Sequence, residues 1–204
     1  IYSGKKTETI DVNNTSANKA TNNARQVFAK IAGLNIWESD GAGIQLSIGG
    51  RGLNPNRVSN FNTRQNGYDI SADALGYPES YYSPPTEAVE RIEIVRGAAS
   101  LQYGTQFGGF LNFKLKKGAE NRKFELVSRQ SFGSFNFFNS FNSVGGTLAK
   151  GKLNYYVFAQ RKQGDGWRPN SQFHVNAGYA AVRYKFNEKF SVGAEYTFMD
   201  YLAH

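Results

Sequence analysis

Residues 87–115 read EAVERIEIVRGAASLQYGTQFGGFLNFKL, and the rest of the chain arranges itself around them. The stretch predicts a helical turn followed by a short strand, Arg91 to Val95. Arg96-Gly97 turns the chain, and the small or helix-tolerant residues Ala98 to Gln102 suffice for one further turn. Tyr103-Gly104 ends that turn, and Gly108-Gly109 permits a sharp bend before a second strand, Phe110 to Leu115. Glycine belongs at such points because it tolerates left-handed or crowded backbone. Spacing alone describes a β-turn-β corner in a small α+β domain. It is not a phosphate loop, since neither GxxxxGK nor GxGxxG is present.

Composition narrows the class. Aromatic and glycine content is high, and helix formers such as Leu and Glu are scarce, which suits strands and turns. There is no cysteine, hence no disulfide framework. No apolar run approaches the ~18 residues of a membrane helix. The first residues do not read as a signal peptide, so a mature or trimmed chain is expected. The net charge of +8 invites an anionic partner, but the basic residues are scattered and no nucleic-acid motif accompanies them. An anionic chelate or a lipopolysaccharide phosphate suits the charge better than nucleic acid. An enzyme is not expected. His174 and His204 lie far apart, no cysteine offers a nucleophile, and neither HExxH nor GxSxG occurs.

The residues before the central stretch read as one small domain. Thr7 to Val12 has strand character. Asn22 or Asn23 can cap a helix whose apolar face is Ala24, Val27, Phe28 and Ile31, with Gly33 as its stop and a strand at Leu34 to Trp37. Ile44, Leu46 and Ile48 alternate with polar residues as a half-buried strand that Gly49-Gly50-Arg51-Gly52 should end. Asn54-Pro55-Asn56 is turn chemistry. Arg57 to Pro85 then reads as a long loop, and loops of that length usually carry function. Two readings of it stand side by side. It is a surface loop packing its own tyrosines, or it is a ligand-facing apex. In the second reading Arg57, Asn60, Asn62, Arg64 and Gln65 meet anionic oxygens, and Tyr77, Tyr81 and Tyr82 supply flat contact.

After Lys117 the pattern changes. Lys123 to Phe132, Phe135 to Leu148, Lys152 to Lys162, His174 to Phe186 and Lys189 to Tyr201 read as five long strands. Phe190, Val192, Ala194, Tyr196 and Phe198 fall on one face, as do Ala180, Val182, Tyr184 and Phe186. An apolar outer and a polar inner face, in segments of about ten residues, is the pattern of a transmembrane β-barrel. A soluble antiparallel meander has the same period. Tight connections at Ala149-Lys150-Gly151 and Asn187-Glu188 contrast with the longer Gln163 to Phe173, as between the two rims of an outer-membrane barrel.

The wording of the central stretch supplies a family. RIEIVRGAASLQYG followed by GGFLNF resembles the end of the plug domain of TonB-dependent outer-membrane receptors. Ile48-Gly49-Gly50-Arg51-Gly52-Leu53-Asn54-Pro55 resembles an upstream plug segment of that family, and GLNPNR with its aromatic loop is most similar to receptors of the ferric-citrate type. One departure is Ala98, where the family often has proline; both fit the start of a helical turn. The resemblance implies an α+β plug over residues 1–118, followed over 119–204 by the first strands, about five, of a large transmembrane β-barrel that is incomplete in this chain. Such a barrel needs ~22 strands to hold a plug. A longer protein is therefore expected.

The resemblance also implies an outer-membrane active-transport receptor. Its ligand is a ferric chelate, citrate-type by preference, and its partners are the TonB energising complex, outer-membrane lipid and the remainder of its own barrel. Arg51, Glu90, Glu93 and Arg96 are implied as plug–barrel contact charges. No cofactor or resident metal is implied, since iron enters only within the transported chelate. The near alternatives are the same architecture importing cobalamin, oligosaccharide or peptide, and a soluble β-rich binding or adhesion module. ETIDV at residues 8–12 faintly resembles a TonB-contacting box, but YSGKKTETIDV reads better as the first plug strand.

Overall fold

The two strands of the central stretch stand side by side in a five-stranded sheet. The computed structural model describes residues 7–29, 31–38, 43–50, 52–72, 79–104, 106 and 108–203. In chain order the first part carries β1 (Thr7–Asp11), the single helical turn α1 (Ala24–Val27), β2 (Leu34–Trp37), β3 (Ser47–Gly50), β4 (Phe61–Gln65), β5 (Tyr68–Asp69), β6 (Val89–Val95) and β7 (Gly109–Leu115). The second part is β8 (Glu125–Phe132), β9 (Phe138–Leu148), β10 (Leu153–Gly164), β11 (Phe173–Lys185) and β12 (Ser191–Ala203). The chain divides into two compact units at Leu115/Lys116.

In the first unit the strand order is β1-β6-β7-β4-β5. β6 and β7 run antiparallel, with Ile92 opposite Phe113 and Ile94 opposite Leu111. Ile92 and Ile94 point into the core while Arg91 and Glu93 stay half-exposed, as a period of two dictates. Phe28, Ile48, Val58, Phe61 and Phe110 complete the core, each fully buried side chain contributing roughly 1.5–3 kcal/mol of transfer free energy. The 3-10 turn Gly97–Gln102 links β6 to β7, where the sequence predicts one turn.

The Gly108-Gly109 bend has a definite cause. The Gly108 amide donates to the Asn60 carbonyl at 2.6 Å, and a Cβ on Gly108 would stand 2.5 Å from that oxygen. Gly109 has φ of 132°.

Three differences from the sequence-based expectations are instructive. The apolar face predicted through Ile31 forms only the turn Ala24–Val27, capped by the Asn23 side chain, which accepts from the Gln26 amide at 2.9 Å. Phe28 leaves the helical region at φ −97°, ψ 7°, and ends it. β3 begins later than predicted, at Ser47 opposite Trp37, and its ladder with β2 stops at Gly50 opposite Leu34, within the run expected to end it. Most importantly, the expected long loop contains a strand. β4 lies parallel to β7, from Phe61 opposite Gly109 to Gln65 opposite Phe113.

β4 ends in a two-residue turn at Asn66-Gly67, with φ of 52° and 97°, leading into β5. Asn-Gly is the preferred pair for such a hairpin turn. The turn is pinned to β7: the Asn66 amide donates to the Phe113 carbonyl at 2.8 Å, and the Leu115 amide donates to the Asn66 side chain at 3.0 Å.

The second unit is a single antiparallel sheet in the order β12-β11-β10-β9-β8, its strands within a few residues of those predicted. Among the described residues it has two edges, β8 and β12, and does not close. One face is exposed and apolar near the tight turns, with Val157 at 44%, Val182 at 44%, Tyr196 at 67% and Phe198 at 48%. Further toward the long Gln163–Phe173 connection the same face becomes polar. There Asn176 pairs across the ladder with Arg161 on one side and Asp200 on the other. The opposite face is buried along the middle of β9, β10 and β11, while on β8 and β12 it stays half-buried or exposed. Its centre is not polar, as the simple barrel pattern predicts, but an aromatic cluster of Phe141, Tyr156, Phe158 and Tyr179, with ring centroids 5.5–6.4 Å apart. Polar groups flank the cluster, among them Gln160, which donates to Asn139 at 2.8 Å.

Candidate functional site: the β4–β6 segment of the first unit

The residues predicted to meet a ligand sit on β4, on the turn before it and on the segment leading into β6. The structure divides them into two groups. Asn62, Arg64, Gln65 and Tyr82 form a lattice that holds the hairpin. Arg64 Nε donates to Asn62 Oδ1 at 2.7 Å, Nη1 to the Gly67 carbonyl at 3.0 Å and Nη2 to the Tyr103 carbonyl at 2.9 Å. The same guanidinium lies 5.7 Å from the Tyr103 ring centroid and 5.8 Å from that of Phe110.

Asn62 donates onward to Asp69 at 3.2 Å, and the Tyr82 hydroxyl donates to Gln65 Oε1 at 2.7 Å. Asn62 and Gln65 are each only 5% exposed. Burying polar side chains this deeply is tolerable because they are hydrogen-bonded. Burial also raises the Tyr82 phenol well above the ordinary range, so it stays a neutral donor. Asn60 is half-buried and its amide donates to the Asn54 carbonyl at 2.8 Å. Tyr77 lies outside the described residues.

The second group centres on Arg57. Its guanidinium Nη1 donates to Glu79 Oε2 at 3.1 Å and to the Tyr81 hydroxyl at 3.2 Å, while the Tyr81 hydroxyl itself donates to the same Glu79 oxygen. The Tyr81 ring lies 4.9 Å from the guanidinium carbon. Both members of the ion pair reach solvent, with side-chain exposures of 40% for Arg57 and 22% for Glu79. The Tyr81 hydrogen bond, then that of Arg57, holds the Glu79 carboxyl below its ordinary value. The hydrogen bond to Glu79 raises the Tyr81 phenol and likewise the Arg57 guanidinium.

The backbone beneath this triad is unusual. Arg57 and Val58 are consecutive left-handed residues at φ 47° and 56°. For a β-branched side chain that is a true outlier, and such strain costs on the order of 1–3 kcal/mol per residue. It persists because the surroundings dictate it. The Ser80 amide donates to the Arg57 carbonyl at 2.8 Å, the Arg57 amide donates to the Ser47 hydroxyl at 3.3 Å, and Val58 is fully buried. Glu79 and Ser80 are the residues that sequence reasoning missed. The available signal was a lone carboxylate among tyrosines, within a segment whose arginines needed partners.

The charges predicted for plug–barrel contact are engaged within the first unit. Glu90 pairs with Arg91 at 3.3 Å, and Glu93 pairs with Arg91 at 3.0 Å and accepts from Asn112 at 2.9 Å. Arg96 pairs with Glu8 on β1 and donates to the Ala32 carbonyl at 2.9 Å, tying the first strand to the end of β6. Arg51 lies outside the described residues. Among the described residues no group of three or more His, Asp or Glu side chains could hold a metal ion.

Comparison with known proteins places this architecture. Over 98% of its length the chain superposes on the ferric citrate transporter FecA in its unliganded form, with a TM-score of 0.77 and 22% identity, covering 32% of that chain. The siderophore receptor PirA from Pseudomonas aeruginosa gives a TM-score of 0.72 at 18% identity, over 97% of this chain and 34% of the other. The pyoverdine outer membrane receptor FpvA from Pseudomonas aeruginosa PAO1, bound to pyoverdine, gives 0.64 at 19% identity, over 83% and 24%. At these identities the likeness speaks for the fold, and the chain spans between about a quarter and a third of each receptor. Comparison with curated protein sequences finds no match. The TonB-dependent Receptor Plug Domain matches residues 5–110, just over half of the sequence, taking in β1 to β6 and the start of β7. Its five further strands share the fold of the matching part of those receptors, and the chain belongs to the TonB-dependent receptor plug domain family.

Proposed function

We propose that this chain is part of an outer-membrane active-transport receptor that takes up a ferric chelate, citrate-type by preference, with TonB supplying the work. The observation that carries the reading is the plug match over residues 5–110 on a fold shared with a ferric citrate transporter and with siderophore receptors. Three features support it. The net charge of +8 and the half-exposed Arg57 suit an anionic cargo better than a neutral one. The apolar exposed face of the second unit suits hydrocarbon, where an open polar backbone would cost several kcal/mol per unpaired group. Among the described residues β1 is an edge strand of the plug sheet, paired with β6, which suits a segment that TonB would pull.

In this reading Arg57, Asn60 and Tyr81 supply the ligand-facing groups. Asn62, Arg64, Gln65 and Tyr82 hold the hairpin that presents them. Arg51, Glu90, Glu93 and Arg96 remain the charges assigned to the boundary with the barrel. The intact receptor in detergent is titrated with ferric citrate and, separately, with a neutral glycan, and iron uptake is followed in cells with and without TonB. Saturable binding of ferric citrate and TonB-dependent uptake are expected. Binding of the glycan but not of ferric citrate overturns the reading.

A further inference from the structure

Arg57 is the one candidate ligand cation whose guanidinium is not wholly consumed by the scaffold. Arg64 spends all three of its nitrogens on protein oxygens. Among the described residues the side-chain hydrogen bonds of Arg57 all converge on Nη1, which leaves its Nε–Nη2 edge unengaged on a side chain that is 40% exposed. That edge is the fork that matches a carboxylate in a paired, bidentate fashion. Glu79, however, already sits against the same guanidinium, kept in place by the Tyr81 hydroxyl. A negatively charged ligand arriving at Arg57 therefore meets a cation that is largely neutralised, with a like charge next to it.

We infer that Glu79 is a built-in carboxylate that competes with an anionic ligand for Arg57, lowering the receptor's affinity and sparing the site from weakly held anions. The inference rests on the proposal that this segment faces the ligand. It adds that the charge of Glu79, and not its shape, sets the strength of binding.

The backbone beneath Arg57 makes the idea testable. The Arg57 backbone is held by its main-chain hydrogen bonds to Ser80 and Ser47 and by the buried Val58, not by Glu79. Removing the Glu79 charge leaves that backbone in place and the Tyr81 hydroxyl beside the guanidinium, while taking the competing charge away. A glutamine there can still accept from both Tyr81 and Arg57, so the local hydrogen-bond geometry survives. A half-exposed ion pair of this kind sets the scale: its release tightens binding of an anion by about two- to fivefold.

The test uses the intact receptor in detergent, with ferric citrate as the probe. Wild type, Glu79→Gln, Arg57→Gln and the double variant are compared by equilibrium titration at low and high salt. Glu79→Gln is expected to bind two- to fivefold more tightly, with the gain shrinking at high salt. Arg57→Gln is expected to bind more weakly. In the Arg57→Gln background, Glu79→Gln is expected to change nothing. A gain that persists without Arg57 overturns the inference and assigns Glu79 to the ordering of its own segment. Equal affinity in wild type and Glu79→Gln overturns it too. If none of the four proteins binds ferric citrate while each keeps its heat-modifiable migration, it is the ligand assignment that fails, and the inference falls with it.

Discussion

At the scale of single residues, the triad of Arg57, Glu79 and Tyr81 has a definite pH range. The folded protein holds Glu79 below its ordinary value of 4.5, so the pair's contribution is complete above that value and is lost as pH falls through the lower, folded one. Tyr81 is raised above 10.0, so its contribution persists below that value and is lost only as pH rises through the higher one. A carbon-13 titration of the Glu79 carboxyl in the receptor is expected to show a midpoint below 4.5, moving upward in Tyr81→Phe because the first-ranking hydrogen bond has gone. A midpoint at or above 4.5 in the wild type rejects the triad. The residue types were readable in advance, since Arg57 and Tyr81 stand out in the sequence. The engagement of Arg57 with a carboxylate 22 positions away was not, because pairing across a loop is set by where the loop's two ends are fastened.

At the scale of elements, the central lesson is β4. Phe61-Asn62-Thr63-Arg64-Gln65 lacks alternation, and its polar content reads as loop. It forms a strand because β7 supplies a parallel ladder and because the side chains of Asn62, Arg64 and Gln65 each find a specific partner, while the buried Thr63 hydroxyl has none among the described residues. The Asn66-Gly67 pair was the one local sign of a hairpin. Gly67 isolates the backbone contribution cleanly: φ is 97° and a Cβ there would meet nothing within 4 Å. Gly67→Ala is expected to destabilise the folded receptor by about 1–2 kcal/mol through left-handed strain alone. Urea unfolding followed by a fluorophore on the first unit checks this, and a neutral substitution means that the turn relaxes to another form. Gly108 differs in kind, since a Cβ there would crowd the Asn60 carbonyl to which its own amide donates.

At the scale of the whole molecule, the exposed face of the second unit carries a boundary. Val182 lies in its apolar part, and Asn176 lies on the same face three alternate positions along β11, beside Arg161 and Asp200. In a barrel spanning a bilayer the apolar part meets hydrocarbon and the polar part extends beyond it. Val182→Arg is therefore expected to cost roughly 2–4 kcal/mol of folding free energy in lipid vesicles, and Asn176→Arg about 0–1 kcal/mol. Reversible unfolding of the intact receptor in vesicles measures both, and equal costs at the two positions remove the case for a lipid boundary between them.

Alternation and glycine placement marked the long strands of the second unit and the two strands flanking the glycine-rich corner, since these are local signals that survive without a partner, and the wording RIEIVRGAASLQYG carried the resemblance to the plug family. That β4 is a strand, that the inner face of β9–β11 is aromatic at its centre, and that Arg64 is a scaffold residue while the side-chain hydrogen bonds of Arg57 use Nη1 alone came from the folded chain. The physical reason is the same in each case. A polar or aromatic side chain takes its role from the group it meets, and these groups lie on segments distant in sequence.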